Sequence, residues 1–88
     1  MTRDQLLALL KRYRVMLNAH GSKNQRHTLS ALLPTKRDVV SHLGWMLGEM
    51  ESHTLEQWDK SMRWLGFIQG SMWVLGIYTI EQLKEDNR

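Results

Sequence analysis

One stretch limits the folds open to this chain more than any other. Residues Trp58–Tyr78, WDKSMRWLGFIQGSMWVLGIY, hold three of the four tryptophans and three of the six glycines. Apolar side chains at Trp58, Met62, Leu65, Ile68 or Gln69, and Met72 recur at the spacing of one helical face. A second set, Trp64, Phe67, Trp73, Val74 and Leu75, falls on other sides of the same helix, which is therefore expected to be covered on more than one side. Gly66 and Gly70 clear side chains from a single stripe. Each costs up to ~1 kcal/mol of helix propensity relative to alanine, and close approach of another backbone is the simplest compensation.

A chain of 88 residues is one domain, 1–88, with a core that gives only marginal stability by burial. Four tryptophans and six methionines are much to conceal at this size, so self-association or a partner surface is expected. The chain has no cysteine, which removes disulfides and cysteine-based zinc sites and fits a reducing compartment. The opening MTRDQLLALLKRYR interrupts its apolar periodicity with charges and lacks the apolar centre of a signal peptide. The run Trp64–Tyr78 is 15 residues long and includes Gln69 and Ser71. A bilayer-spanning helix needs ~20 apolar residues, so no membrane span is expected.

Charge is unevenly spread. Residues 1–37 carry eight Lys or Arg against the single acid Asp4, whereas residues 38–88 carry four bases and eight acids, for a net +3. The basic end suits a phosphate backbone, an acidic protein, or the acidic end of this chain or of a second copy.

Four threonines are each followed three residues later by an acid or amide, the pattern of a reciprocal helix cap: Thr2 with Gln5, Thr35 with Asp38, Thr54 with Gln57, and Thr79 with Gln82. No strand-like alternation competes with them. The expected fold is all-α, a small helical bundle of three long helices plus one or two short ones, with an intertwined dimer among the arrangements open to it. The first helix is expected over about Arg3–Asn18, with Leu6, Leu9 or Leu10, Tyr13, and Met16 or Leu17 inward and Gly21 as terminator. Residues 21–28 read as a loop, and Leu29–Leu33 as a short helical turn ended by Pro34. The second helix is expected over about Lys36–Ser52, with Val39, Val40, Leu43, Met46, Leu47 and Met50 inward. The central helix follows from Thr54 to about Gly76, and a short one over Ile80–Asp86 packs through Ile80 and Leu83. The pairs Gly44/Gly48 and Gly66/Gly70 suggest that the two long helices cross closely, or that each meets its copy in a dimer.

Few constellations carry chemistry. His42, Glu49 and His53, at i, i+7 and i+11, share one side of the second helix, but helical metal sites usually draw ligands from a second element, and solvated residues at a polar rim explain them as well. No metal or cofactor is expected. Phosphate loops, nucleophile elbows and paired-carboxylate motifs are absent, so an enzyme is not expected. The segment HTLSALLPTKRDVVSHLGWM resembles a helix-turn-helix. In that alternative reading Lys36, Arg37 and Ser41 face bases, with Lys23 and Arg26 on phosphates, although the usual turn glycine is missing. Tryptophan is enriched at interface hot spots, which favours a protein partner anchored by Trp58, Trp64 and Trp73 and oriented by Arg12, Arg14, Lys36 and Arg37.

At Met62–Asn87, the pattern Arg63-Trp64-Leu65-Gly66-Phe67, Gln69-Gly70, Trp73, Gly76, Thr79-Ile80 and Leu83-Lys84, preceded by His42-Leu43 and Trp45-Met46, resembles the C-terminal part of small, mostly uncharacterised accessory proteins of tailed bacteriophages and prophages. The resemblance covers about the last half of the chain. It implies expression in the bacterial cytoplasm during infection or lysogeny and a protein that binds and redirects a host protein or modulates phage DNA transactions. With no catalytic motif present, the expected function is that of a non-enzymatic accessory protein that binds and modulates a host or phage protein. A homodimer is the expected state, and nucleic acid is the alternative partner.

Overall fold

The computed structural model describes residues 1–27, 35–53 and 56–88, with the backbone alone for His53. Four helices make up its regular structure: α1 (Arg3–Ala19), α2 (Lys36–His53), α3 (Trp58–Val74) and α4 (Ile80–Asp86). No strand occurs among the described residues, and the fold is all-α. No helix among them is long and apolar enough to cross a membrane.

Three of the four threonine signals open helices. The Thr2 hydroxyl accepts from the Gln5 N–H at 3.1 Å while Gln5 Oε1 accepts from the Thr2 N–H at 2.7 Å. Thr79 and Gln82 repeat this exchange at 3.1 and 2.8 Å, and Thr35 and Asp38 do so at 3.1 Å in both directions. Each exchange satisfies N–H groups that no helical carbonyl reaches, and loss of such a cap costs ~1 kcal/mol. The same contacts with Thr35 hold the Asp38 carboxyl below its ordinary range. The fourth signal does not open α3. Thr54 lies outside the described residues, as does the expected turn Leu29–Leu33. Helix α3 starts at Trp58 behind Gln57, whose side chain makes no capping bond, and Glu56 stands before the helix rather than in its first turn. The reason is steric. Helix α2 runs to His53, so a helix starting right after Thr54 would leave too few residues to reverse direction.

Glycine ends two helices as expected. Gly21 and Gly76 adopt left-handed backbone conformations, with φ of 87° and 75°. Beyond them the Ser22 N–H reaches back to the Leu17 carbonyl at 2.9 Å, and the Ile77 N–H to the Met72 carbonyl at 2.8 Å. This closure needs the missing Cβ of glycine.

Helices α1, α2 and α3 pack in sequence order. Arg14 on α1 meets Glu51 near the end of α2, while the chain leaving α1 meets Ser41 near its start, so the two helices are antiparallel. Val39 of α2 lies beside Gly70 and Val74 of α3, and Trp45 beside Trp64, which makes that pair antiparallel too. The core is filled by Leu6, Leu9, Leu10, Tyr13 and Leu17 of α1, by Val40, Leu43, Met46, Leu47 and Met50 of α2, and by Leu65, Ile68 and Met72 of α3. A fully buried side chain of this kind contributes ~1.5–3 kcal/mol. Trp58 and Met62, placed on the inward stripe by their spacing, pack only at its edge, and the buried face includes Ser61 and Gln69 instead. On α4, Leu83 is buried, but Ile80 is exposed, contrary to expectation.

The glycine pairs do not serve a close crossing of α2 and α3. A Cβ on Gly44 would collide with the side-chain oxygens of Ser22 and Asn24, so this glycine admits a loop rather than another helix. A Cβ on Gly48 would lie 3.7 Å from the Arg14 guanidinium. Gly66 and Gly70 have nothing within 4 Å of an added Cβ, so the α2–α3 crossing does not depend on them. The substitutions are therefore expected to differ in sign. Gly70→Ala should raise stability by up to ~1 kcal/mol, a few degrees in Tm, whereas Gly44→Ala should lower it by breaking the Ser22–Asn24 contact. Thermal unfolding of the two variants beside the parent measures both.

Candidate functional site

The rotation of α3 about its own axis determines what the surface offers. It is fixed by a polar cluster where α1, α3 and α4 meet. Tyr13 donates its hydroxyl hydrogen to Asp86 Oδ2 at 2.8 Å and accepts from Gln69 Nε2 at 3.0 Å. Gln69 and Asn87 also exchange amide hydrogen bonds, at 3.0 and 3.1 Å. Arg12 adds an ion pair to Asp86 at 3.2 Å, but the Arg12 side chain is 60% exposed, so this pair contributes no more than ~1 kcal/mol. The part-buried hydroxyl-to-carboxylate bond is the stronger tie, in the ~1.5–3 kcal/mol range of hydrogen bonds to charged groups. Burial, with further contributions from the Asp86 charge, pushes the Tyr13 hydroxyl far above its ordinary value, so it stays protonated.

With Gln69 held inward, Phe67, Trp73 and Val74 of the second apolar set face out, while Trp64 and Leu75 pack part-buried against the core. Phe67 is 56% exposed, Trp73 51% and Val74 76%. These fractions of large side chains come to on the order of 300 Å² of bare apolar area, the size at which a patch on a small protein is commonly functional. Gly66 and Gly70 lie among them and leave the strip low. The expectation that α3 is covered on several sides is not met among the described residues. One face is buried and another is bare.

Toward its N-terminal end the strip joins an aromatic ledge. Trp64 lies 6.0 Å from Trp45 between ring centroids, and Trp45 lies 5.4 Å from His42. The Arg26 guanidinium stands over the Trp45 ring at 5.2 Å, and the Lys60 ammonium over Trp64 at 5.0 Å. Such cation–π contacts each contribute ~0.5–1 kcal/mol at exposed sites. The loop bearing Arg26 is fastened to α2, because Ser41 Oγ accepts from the Lys23 N–H at 3.0 Å and His42 Nδ1 accepts from the His27 N–H at 3.1 Å. Trp45, Met46 and Trp64 then continue the apolar surface to Phe67, with no carboxylate lining it.

The residues expected at a partner surface thus divide. Arg12 and Arg14 are paired within the chain, Arg14 with Glu51 at 3.0 Å. Trp58 and Trp64 both pack part-buried against the core, Trp64 within the ledge, whereas Trp73 is open on the strip. Lys36 and Arg37 are exposed at the start of α2. Among the residues of the helix-turn-helix reading, Ser41 is only 7% exposed with its hydroxyl engaged, so it is not displayed for reading bases, and Arg26 is directed over Trp45. The first helix of that reading lies outside the described residues. His42 is engaged by the loop, and the side chain of His53 lies outside the described residues. Phe67, Val74 and Trp45 are not among the residues expected at a partner surface, although helical spacing alone places Phe67 and Val74 opposite the buried stripe.

Comparison of the chain with protein-family models, curated proteins and solved structures finds no match.

The His42 contact makes the ledge pH-sensitive. Burial, then the nearby His27 and Arg26, hold the His42 imidazole below its ordinary value of 6.5. The neutral ring accepts the His27 N–H, and the protonated ring does not. The fastening is therefore fully present above pH 6.5 and is lost as pH falls through the lower folded-state value. In an NMR titration the His42 ring and the His27 amide should move together with a midpoint below 6.5; a midpoint above it would contradict this contact.

Proposed function

We propose that this chain is a non-enzymatic binding protein that acts in the bacterial cytoplasm by contact with another protein, an accessory protein of the phage and prophage kind that its C-terminal pattern resembles. The observation that carries the reading is the bare strip of Phe67, Trp73 and Val74, which the domain's own core does not use. Aromatic side chains held by a rigid helix lose little entropy on binding and are frequent hot spots. Lys60 and Arg63 on α3 and Lys36 on α2, near the lining residues in sequence, give the surroundings of the strip positive charge and steer an acidic partner toward it. Arg12 and Arg14, engaged with Asp86 and Glu51, serve the fold instead.

The test is affinity capture from a bacterial lysate by the tagged protein and two double variants. Phe67→Ala with Trp73→Ala should reduce recovery of the specific partner at least ~10-fold while leaving helical content unchanged, since both side chains are outside the core. Arg12→Ala with Arg14→Ala should leave recovery largely intact once the protein is folded. Undiminished recovery by the Phe67/Trp73 variant would contradict the proposal.

A further inference from the structure

We infer that the seam between α2 and α3 receives one amphipathic helix of the partner, with its apolar face on the strip and carboxylates along its flanks. The inference rests on the protein-contact reading and specifies the form and charge of the segment that is bound.

Shape comes first. The apolar surface follows α3 from Trp64 to Val74, about 15 Å at helical rise, which is the length of roughly three turns of a docked helix. Val39 of α2 borders it on the other side, so the surface is a shallow, open trough along the two helices. Gly66 and Gly70 lie along it with open space where a Cβ would stand, which lets a backbone come nearer than alanine would.

Charge selects the occupant. Among the described residues no acid lines the trough itself, and Glu49 lies beyond its ledge end, with Lys60 and Trp64. Arg26 and Lys60 stand at the ledge end over the two indoles. Arg63 precedes Phe67 by four residues on α3, and Lys36 precedes Val39 by three on α2, so each flanks a lining side chain. None of these four cations takes part in an ion pair among the described residues. A helix with Glu or Asp beside its apolar stripe would meet all of them.

Two other occupants fit less well. A standard interface buries about 800 Å² per partner and is more than half apolar, which exceeds the apolar area of this strip, so a second copy docked here alone would be weak. For a nucleic acid the ledge offers few free ring faces, since Trp45 is flanked by Arg26, His42 and Trp64, and Trp64 carries Lys60.

The test titrates the isotope-labelled full chain with two synthetic helical peptides of about 18 residues that share one leucine stripe, the first flanked by Glu and the second by Lys. The Glu peptide should shift the Trp64 and Trp73 indole signals and the Gly66 and Gly70 amides, and bind about tenfold tighter than the Lys peptide. Lys60→Ala with Arg63→Ala should erase most of that preference. Gly70→Ala should weaken the Glu peptide about threefold although the variant is no less stable. The inference is overturned if the Lys peptide binds as well, if the shifts fall away from the seam, or if the Gly66 and Gly70 amides move with protein concentration alone, which would place a second copy on the strip. If the Glu peptide fails while the Phe67/Trp73 variant still loses its captured partner, only the helical, acidic form of the partner is wrong. Undiminished capture by that variant would remove the protein-contact reading as well.

Discussion

The hydroxyl of Tyr13 lies where three helices meet, and the orientation of α3 depends on it. By accepting from Gln69 and donating to Asp86 it ties the only amide on an otherwise apolar stretch of α3 to the inside of the domain. A rotation of α3 that buried Phe67 or Val74 would carry Gln69 toward solvent and break its hydrogen bonds with Tyr13 and Asn87, at ~0.5–1.5 kcal/mol for each. The same cluster holds α4, a helix of 7 residues that has few other attachments than Leu83 and its cap. Polar groups thus decide which apolar face is buried.

Much of the local structure was legible in the sequence because it depends on neighbours. Thr2/Gln5, Thr35/Asp38 and Thr79/Gln82 cap helices through residues three apart, and Gly21 and Gly76 end them through bonds spanning one turn. The inward stripes of α1 and α2 follow from periodicity in the same way, except that Val39, expected inward, is only part-buried at the edge of α2. What escaped was set by distant residues. Thr54 carries a capping pattern as good as the others, yet α3 starts later because α2 extends to His53 and the chain must turn between them. Gln69 meets Tyr13, 56 residues earlier, and no periodicity announces such a partner.

The candidate surface shows the same division. Helical spacing separated the two apolar sets of α3, and composition indicated that a small domain would struggle to cover both. Which set was buried depended on the Tyr13 cluster, so Trp58 was overvalued as an anchor and Phe67 and Val74 undervalued. The basic first half of the chain was likewise visible as a total, but its use was not. Arg12 and Arg14 neutralise acids of the chain itself, whereas Lys60 and Arg63, from the more acidic half, flank the exposed strip. Gly66 and Gly70 remain without a role inside one copy, and their helix-propensity cost is explained most simply by a contact the domain does not make with itself.

The central claim is the outward orientation of α3, and tryptophan accessibility tests it most directly. With all four tryptophans carrying a fluorine label, a soluble paramagnetic agent should broaden the Trp73 signal most at low protein concentration, with Trp45, Trp58 and Trp64 less affected. Protection of Trp73 equal to that of Trp58 would mean that the strip is already covered, and that the surface offered to a partner lies elsewhere.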